Sequence, residues 1–111
     1  MKQRERVAEL RRRLPLGPIV QDYELAEGPW SLEAGDAPER TVRLSELFTA
    51  PDRALVVYHL MYGKKQTTPC PMCTSWLDAF NGVAHHLAQN IDFAVVAAAD
   101  LPALRTHARR R

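Results

Sequence analysis

The hydrophobic pattern of this chain changes character at Ala54. From there to Tyr62 it reads ALVVYHLMY, nearly continuous and rich in β-prone side chains, the pattern of a strand covered on both faces in a parallel sheet. Gly63 to Pro69 form a polar loop. Beyond it Trp76, Phe80, Val83 and Leu87 recur at helical spacing, with Asp78, Asn81, His85 and Gln89 on the opposite side, which predicts one amphipathic helix weakened at Asn81-Gly82. Ile91 to Ala99 reads as a second buried strand. Asp100-Leu101-Pro102 then caps a final helix that runs into an arginine-rich end. Strand, helix, strand and helix with crossovers of this length predict a right-handed βαβ unit.

The first half is patterned differently. Gln3 to Arg13 interleave Arg and Glu, with Val7, Leu10 and Leu14 at helical spacing, as expected of a solvated helix with a thin apolar stripe. Leu14-Pro15-Leu16-Gly17-Pro18 breaks regular structure. Ile19 to Leu25 reads as a short strand, Glu27 to Arg40 as a turn-rich acidic loop, and Thr41 to Leu44 as a weak alternation. A single helical turn is expected over Ser45 to Phe48 before Pro51-Asp52 punctuates the chain. The fold class is thus α/β, with a basic helix and loop extension over residues 1–40 and a core over residues 41–111. No internal repeat or low-complexity tract appears.

Composition narrows the function classes. At 111 residues and 46% hydrophobic content, one domain with a modest core is feasible. The net charge of +2 conceals an asymmetry: residues 1–13 carry six basic side chains and two acidic ones, and residues 105–111 add four arginines, so the middle is acidic. No aromatic residues interleave with the basic ends as single-strand platforms require, which argues against nucleic acid as a partner. No run approaches membrane-spanning length, and the charged N-terminal stretch lacks a signal-peptide hydrophobic region. The expectation is a protein of a bacterial-type reducing cytoplasm, where two cysteines read as catalytic, redox-sensing or metal-binding.

Those cysteines are Cys70 and Cys73, in the order Cys70-Pro71-Met72-Cys73. A thiol at the start of a helix feels unpaired N–H groups and the positive end of the helix dipole, and both favour the thiolate that attacks disulfides. Positions i and i+3 share a helix face, so the two sulfurs can approach each other. Pro71 falls at the first helical position, where its missing N–H costs nothing. The expectation is Cys70 at the N-cap, exposed and attacking, with Cys73 one turn below it and resolving. Neither Pro71 nor Met72 places a charge between the cysteines, so the dipeptide does not locate their potential.

The alternatives carry less. Zinc needs four ligands in tetrahedral reach, and adjacent His85 and His86 point about 100° apart on a helix. His85 belongs to the polar face, and His86 flanks the apolar stripe. His59 interrupts a strand expected to be buried, as a hydrogen-bonded core histidine or, less readily, a proton-transfer group. Thr67 stands three residues before Cys70, a faint peroxidase-like spacing without the upstream proline. Trp76 and Phe80 read as core, and Asp78 has no evident partner. No Gly-rich phosphate loop is present, so no organic cofactor is indicated.

The order of these segments carries a resemblance. LVVYHLMYG, CPMCTSWLDAFNGVAHHL and IDFAVVAAADLPALRTHAR, with LRRRLPLGPIVQDYEL and VRLSELF upstream, closely resemble the thioredoxin-like family labelled domain of unknown function 899. Its motifs YH-x-M-[YF]-G, CP-x-C and NG-x-x-HHL all fall in order. The resemblance implies dithiol-disulfide oxidoreductase activity, with Cys70 and Cys73 as the dithiol and a disulfide-containing protein or small-molecule thiol as substrate. It also implies a truncated chain, since relatives continue past the position of Arg111 into further strands and a proline loop. The expectation is therefore a partial thioredoxin-like core with an open apolar edge, prone to self-association. The alternative is a non-catalytic family member acting as an interaction module.

Overall fold

The computed structural model describes residues 1–111. It is a mixed α/β structure with two small sheets. Helix α1 (Lys2–Arg12) leads into an extended segment, and β1 (Glu24–Glu27) pairs antiparallel with β2 (Arg40–Arg43). Strand β3 (Ala54–His59), helix α2 (Pro71–Gly82), short helix α3 (Ala84–Leu87), strand β4 (Ile91–Val96) and helix α4 (Leu101–Arg109) follow. β3 and β4 are parallel, with Ala54 opposite Ile91 and His59 opposite Val96. Short 3-10 turns occupy Leu32–Ala34 and Leu44–Leu47. No helix is long and apolar enough to cross a membrane.

Several sequence expectations shift in register. The first strand starts at Glu24 rather than Ile19, and Ile19 and Val20 are exposed. The helix expected to run unbroken through Asn81-Gly82 ends there, and α3 restarts after Val83. Its inward stripe is Cys73, Leu77 and Phe80, while Trp76 is 55% exposed. The reason is the i, i+4, i+7 row that starts at Cys73, which faces the strands one position away from the row counted from Trp76.

β3 is also less buried than its apolar run implies. Val56, Val57 and His59 are exposed. A two-stranded sheet offers fewer neighbours on either face than the wide parallel sheet for which such runs are typical. His59 is consequently not a core histidine. Tyr58, its neighbour on the opposite face, meets the Phe80 ring edge-on at 5.6 Å between centroids, and Phe80 lies 5.1 Å from Phe93 of β4. That aromatic cluster fastens α2 to both strands.

The core is small. Only six of the 111 residues are buried, and Leu60, 0% exposed, centres a cluster with Tyr62 and Cys73. Leu77, Ala97, Ala99, Ala103 and Leu104 pack around them, so α2 and α4 meet over the chain leaving β3. The radius of gyration is 16.7 Å, against about 13 Å for a compact domain of this length. Helix α1, with no buried residue, accounts for part of that extension.

The extension is tied down by charge rather than packing. Arg105 of α4, 7% exposed, donates to the carbonyls of Pro29, Ser31 and Gly35 at 2.8–2.9 Å and to Asp36 Oδ1 at 3.2 Å. Arg109 pairs with the same Asp36 and donates to the Leu32 carbonyl. Gly28 is required by this approach: a Cβ there would sit 2.9 Å from an Arg105 guanidinium nitrogen. Gly35, at φ +87°, makes a turn that L side chains rarely adopt. The β1–β2 hairpin spans the position where the sequence changes from extension to core.

Candidate functional site

The dithiol forms where the sequence places it, because the local chain leaves little choice. Cys70 is the N-cap of α2, and its sulfur accepts the Cys73 backbone N–H at 3.4 Å. Pro71 takes the first helical position. The Cys70 N–H donates to the Met61 carbonyl at 3.0 Å, so the loop end is stitched to the chain that leaves β3. Cys70 is half-buried and Cys73 is buried at 7% exposure, and both are free thiols.

The environment treats the two sulfurs differently. Hydrogen bonds hold the Cys73 thiol below the ordinary thiol range: first from the Met61 backbone, then from the Cys70 side chain, with Tyr58 adding to them against the opposing effect of burial. The Tyr58 phenol moves the other way, raised first by burial and then by its contact with Cys73. It therefore stays neutral and remains a donor; its hydroxyl lies 3.5 Å from the Cys73 carbonyl.

A second group of residues stands on the other flank of Cys70. Thr74 Oγ1 donates to the Cys70 carbonyl at 3.0 Å and lies 3.2 Å from His107 Nε2. Burial first, and then the charge of Arg111, holds the His107 imidazole below its ordinary range. Beside them opens a cleft of about 510 Å³ whose walls include Pro69, Pro71, His107, Arg110 and Arg111. Arg111 is paired with Asp78, Nε to Oδ1 at 2.7 Å, which supplies Asp78 with the partner the sequence does not reveal.

The remaining sequence candidates lie elsewhere or play smaller parts. His85 and His86 are both exposed, with rings 4.0 Å apart at the α3 turn. No three His, Cys, Asp or Glu side chains converge in a metal-ligating group. Thr67 is exposed on the cleft wall. The residues that sequence reasoning misses are Tyr58, Thr74 and Arg110, together with the placement of His107 beside the dithiol. Tyr58 reaches the site because α2 packs on β3, and the others meet there because α4 folds back over the α2 N-terminus, a contact with no local signal except the Asp100 cap, which accepts the Ala103 N–H at 2.8 Å.

Comparison with known proteins adds one finding to this geometry. No curated protein and no solved structure matches the chain. The family model described as bacterial protein of unknown function, DUF899, matches residues 1–111. The chain belongs to the DUF899 family of bacterial proteins of unknown function.

Proposed function

We propose that this protein is a thioredoxin-like thiol-disulfide oxidoreductase that works through the Cys70–Cys73 dithiol. The observation that carries the reading is the asymmetry of the pair: Cys70 is the half-buried N-cap sulfur, while Cys73 is buried one turn on with a lowered thiol pKa. The Cys70 thiolate attacks one sulfur of a substrate disulfide. A Cys70–substrate disulfide forms and the other substrate half leaves as a thiolate. Cys73, as thiolate, then attacks Cys70 Sγ, closing the Cys70–Cys73 disulfide and releasing the second half. Two electrons pass from the dithiol to the substrate, and the two cysteine protons end on the released thiols. A low-molecular-weight dithiol such as dithiothreitol restores the reduced pair.

Tyr58 and the Met61 backbone support the second step, because they stabilise negative charge on Cys73 while the mixed disulfide awaits resolution. The test is reduction of 2-hydroxyethyl disulfide with dithiothreitol as reductant, compared with the uncatalysed rate. Turnover that disappears in Cys70→Ser supports the reading; a wild-type protein no faster than the background contradicts it.

A further inference from the structure

The cleft beside Cys70 has a composition that the dithiol itself does not require. Four threonines, Thr67, Thr68, Thr74 and Thr106, line it together with His107 and Arg110, and no acidic side chain is among its walls. Arg111, also on the wall, is neutralised by Asp78. Arg110, on the same wall, forms no ion pair and its side chain makes no hydrogen bond within the chain, so its guanidinium donors are uncommitted. Pro69 and Pro71, the two chain neighbours of Cys70, both belong to the wall, and so does Thr74, whose hydroxyl donates to the Cys70 carbonyl. A volume of about 510 Å³ is within the range that holds a small organic molecule.

We propose that this cleft is the binding subsite for the half of a small, carboxylate-bearing disulfide whose sulfur Cys70 attacks, held by Arg110 and the threonine hydroxyls. The proposal rests on the redox reading above and specifies its substrate class. A guanidinium pairs with a carboxylate through charge-assisted and often bidentate hydrogen bonds. Hydroxyl groups add donors without favouring a cation, and the absence of a wall carboxylate removes the counter-charge that an amine-bearing substrate would need. The bond changes are those already given: the Cys70–S bond forms as the substrate S–S bond breaks, the departing carboxylate thiolate leaves first, and Cys73 releases the half held in the cleft.

A charge series of similar size tests it: dithiodipropionate, 2-hydroxyethyl disulfide and cystamine, each reduced by the protein with dithiothreitol and each divided by its own uncatalysed rate. The expected order of kcat/KM is anion, neutral, cation, with the anionic advantage shrinking as salt is raised. Arg110→Gln should lower the anion-to-neutral ratio about tenfold, the scale of one lost charge-assisted hydrogen bond, mainly through KM. Arg110→Lys should restore part of it. Arg110 is exposed, so neither change threatens the fold. An anion-to-neutral ratio that is unchanged in Arg110→Gln overturns the proposal while leaving the redox reading intact.

Binding is read separately from turnover in the Cys70→Ser/Cys73→Ser protein by NMR shifts on adding dithiodipropionate or cystamine. Shifts at Thr106, His107 and Arg110 with the anion alone, lost in Arg110→Gln, support the subsite even where the neutral disulfide is not reduced. Equal shifts with both compounds, or none with either, overturn it.

Discussion

At the start of the β3–β4 pair, Asp92 is enclosed by donors: the Thr49 N–H and hydroxyl at 2.8 Å and Arg53 Nε at 3.0 Å. Arg53 also donates to the Ala88 and Ile91 carbonyls, at 2.8 and 2.6 Å, so one arginine ties the loop before β3 both to β4 and to the end of α3. At the finish of the same strands, Leu60 and Tyr62 are buried under α2 and α4, and the polar groups there are the two thiols, Thr74 and His107. Both Asp92 carboxylate oxygens are taken up by the chain itself. At the dithiol end Cys70 is a free, half-buried thiol and Arg110 is unpaired. The contrast leaves uncommitted groups beyond the carboxyl ends of the strands, where loops and helix N-termini converge, and none of the named polar groups free at the other.

If the two ends divide the work in this way, substitutions should separate activity from stability. The largest effect expected is on turnover. Cys70→Ser should remove catalysed disulfide reduction entirely, down to the uncatalysed rate, while its melting curve stays close to wild type. A large stability loss in that variant would mean the thiol is a packing element. Next in size is Leu60→Ala, which empties the centre of the core at its only fully enclosed side chain. It should cost about 2–5 kcal/mol in urea unfolding, a large part of what so small a core supplies.

The Asp92 end should respond to acid. Its carboxyl is held below the usual carboxylate range, first by the Thr49 N–H and then by the Thr49 hydroxyl and Arg53. A folded-state pKa below the unfolded one contributes stability that is complete above about pH 4 and is lost as pH falls through that value toward the folded pKa. His107 has a lowered pKa as well, but it binds a proton less readily when folded. Its contribution is therefore complete above about pH 6.5 and declines as pH drops below that. Urea midpoints against pH should show two separate declines; Asp92→Asn should shrink the lower, to which Asp22, Asp36 and Asp78 also contribute, and His107→Gln should remove the upper. A single decline that neither variant alters would contradict this assignment.

The smallest expected effect concerns the surface. Leu16, Ile19 and Trp30 are almost fully exposed, and Met61, Met72 and Trp76 are more than half exposed. Exposed apolar area of this extent favours association. Sedimentation should show concentration-dependent self-association that weakens when Leu16 and Ile19 are changed to Ser; a strictly monomeric wild type would remove this expectation.

Legibility in the sequence follows the range of the interactions. The Cys70 cap, Pro71 at the first helical position and the Asp100 cap all act over three or four residues, and all stand where the local pattern puts them. The parallel strands were readable from two apolar runs, though their exposure was not, since a run does not reveal how many strands will flank it. The latches were illegible. Arg105 reaches back 76 residues to Pro29, and His107 meets Thr74 across 33. Nothing in the spacing of an arginine-rich end identifies which of its arginines will be buried, which will pair with Asp78 and which will be left unpaired on the cleft wall.

The central claim is that Cys70 attacks and Cys73 resolves, and the most direct measurement is the fate of a Cys73→Ser protein mixed with 2-hydroxyethyl disulfide. With the resolving thiol gone, mass spectrometry after proteolysis should find a stable mercaptoethanol adduct on Cys70. The wild-type protein under the same conditions should show instead the Cys70–Cys73 disulfide and free thiol. An adduct that fails to form in Cys73→Ser, yet accumulates on Cys73 in Cys70→Ser, would reverse the two roles and contradict the account.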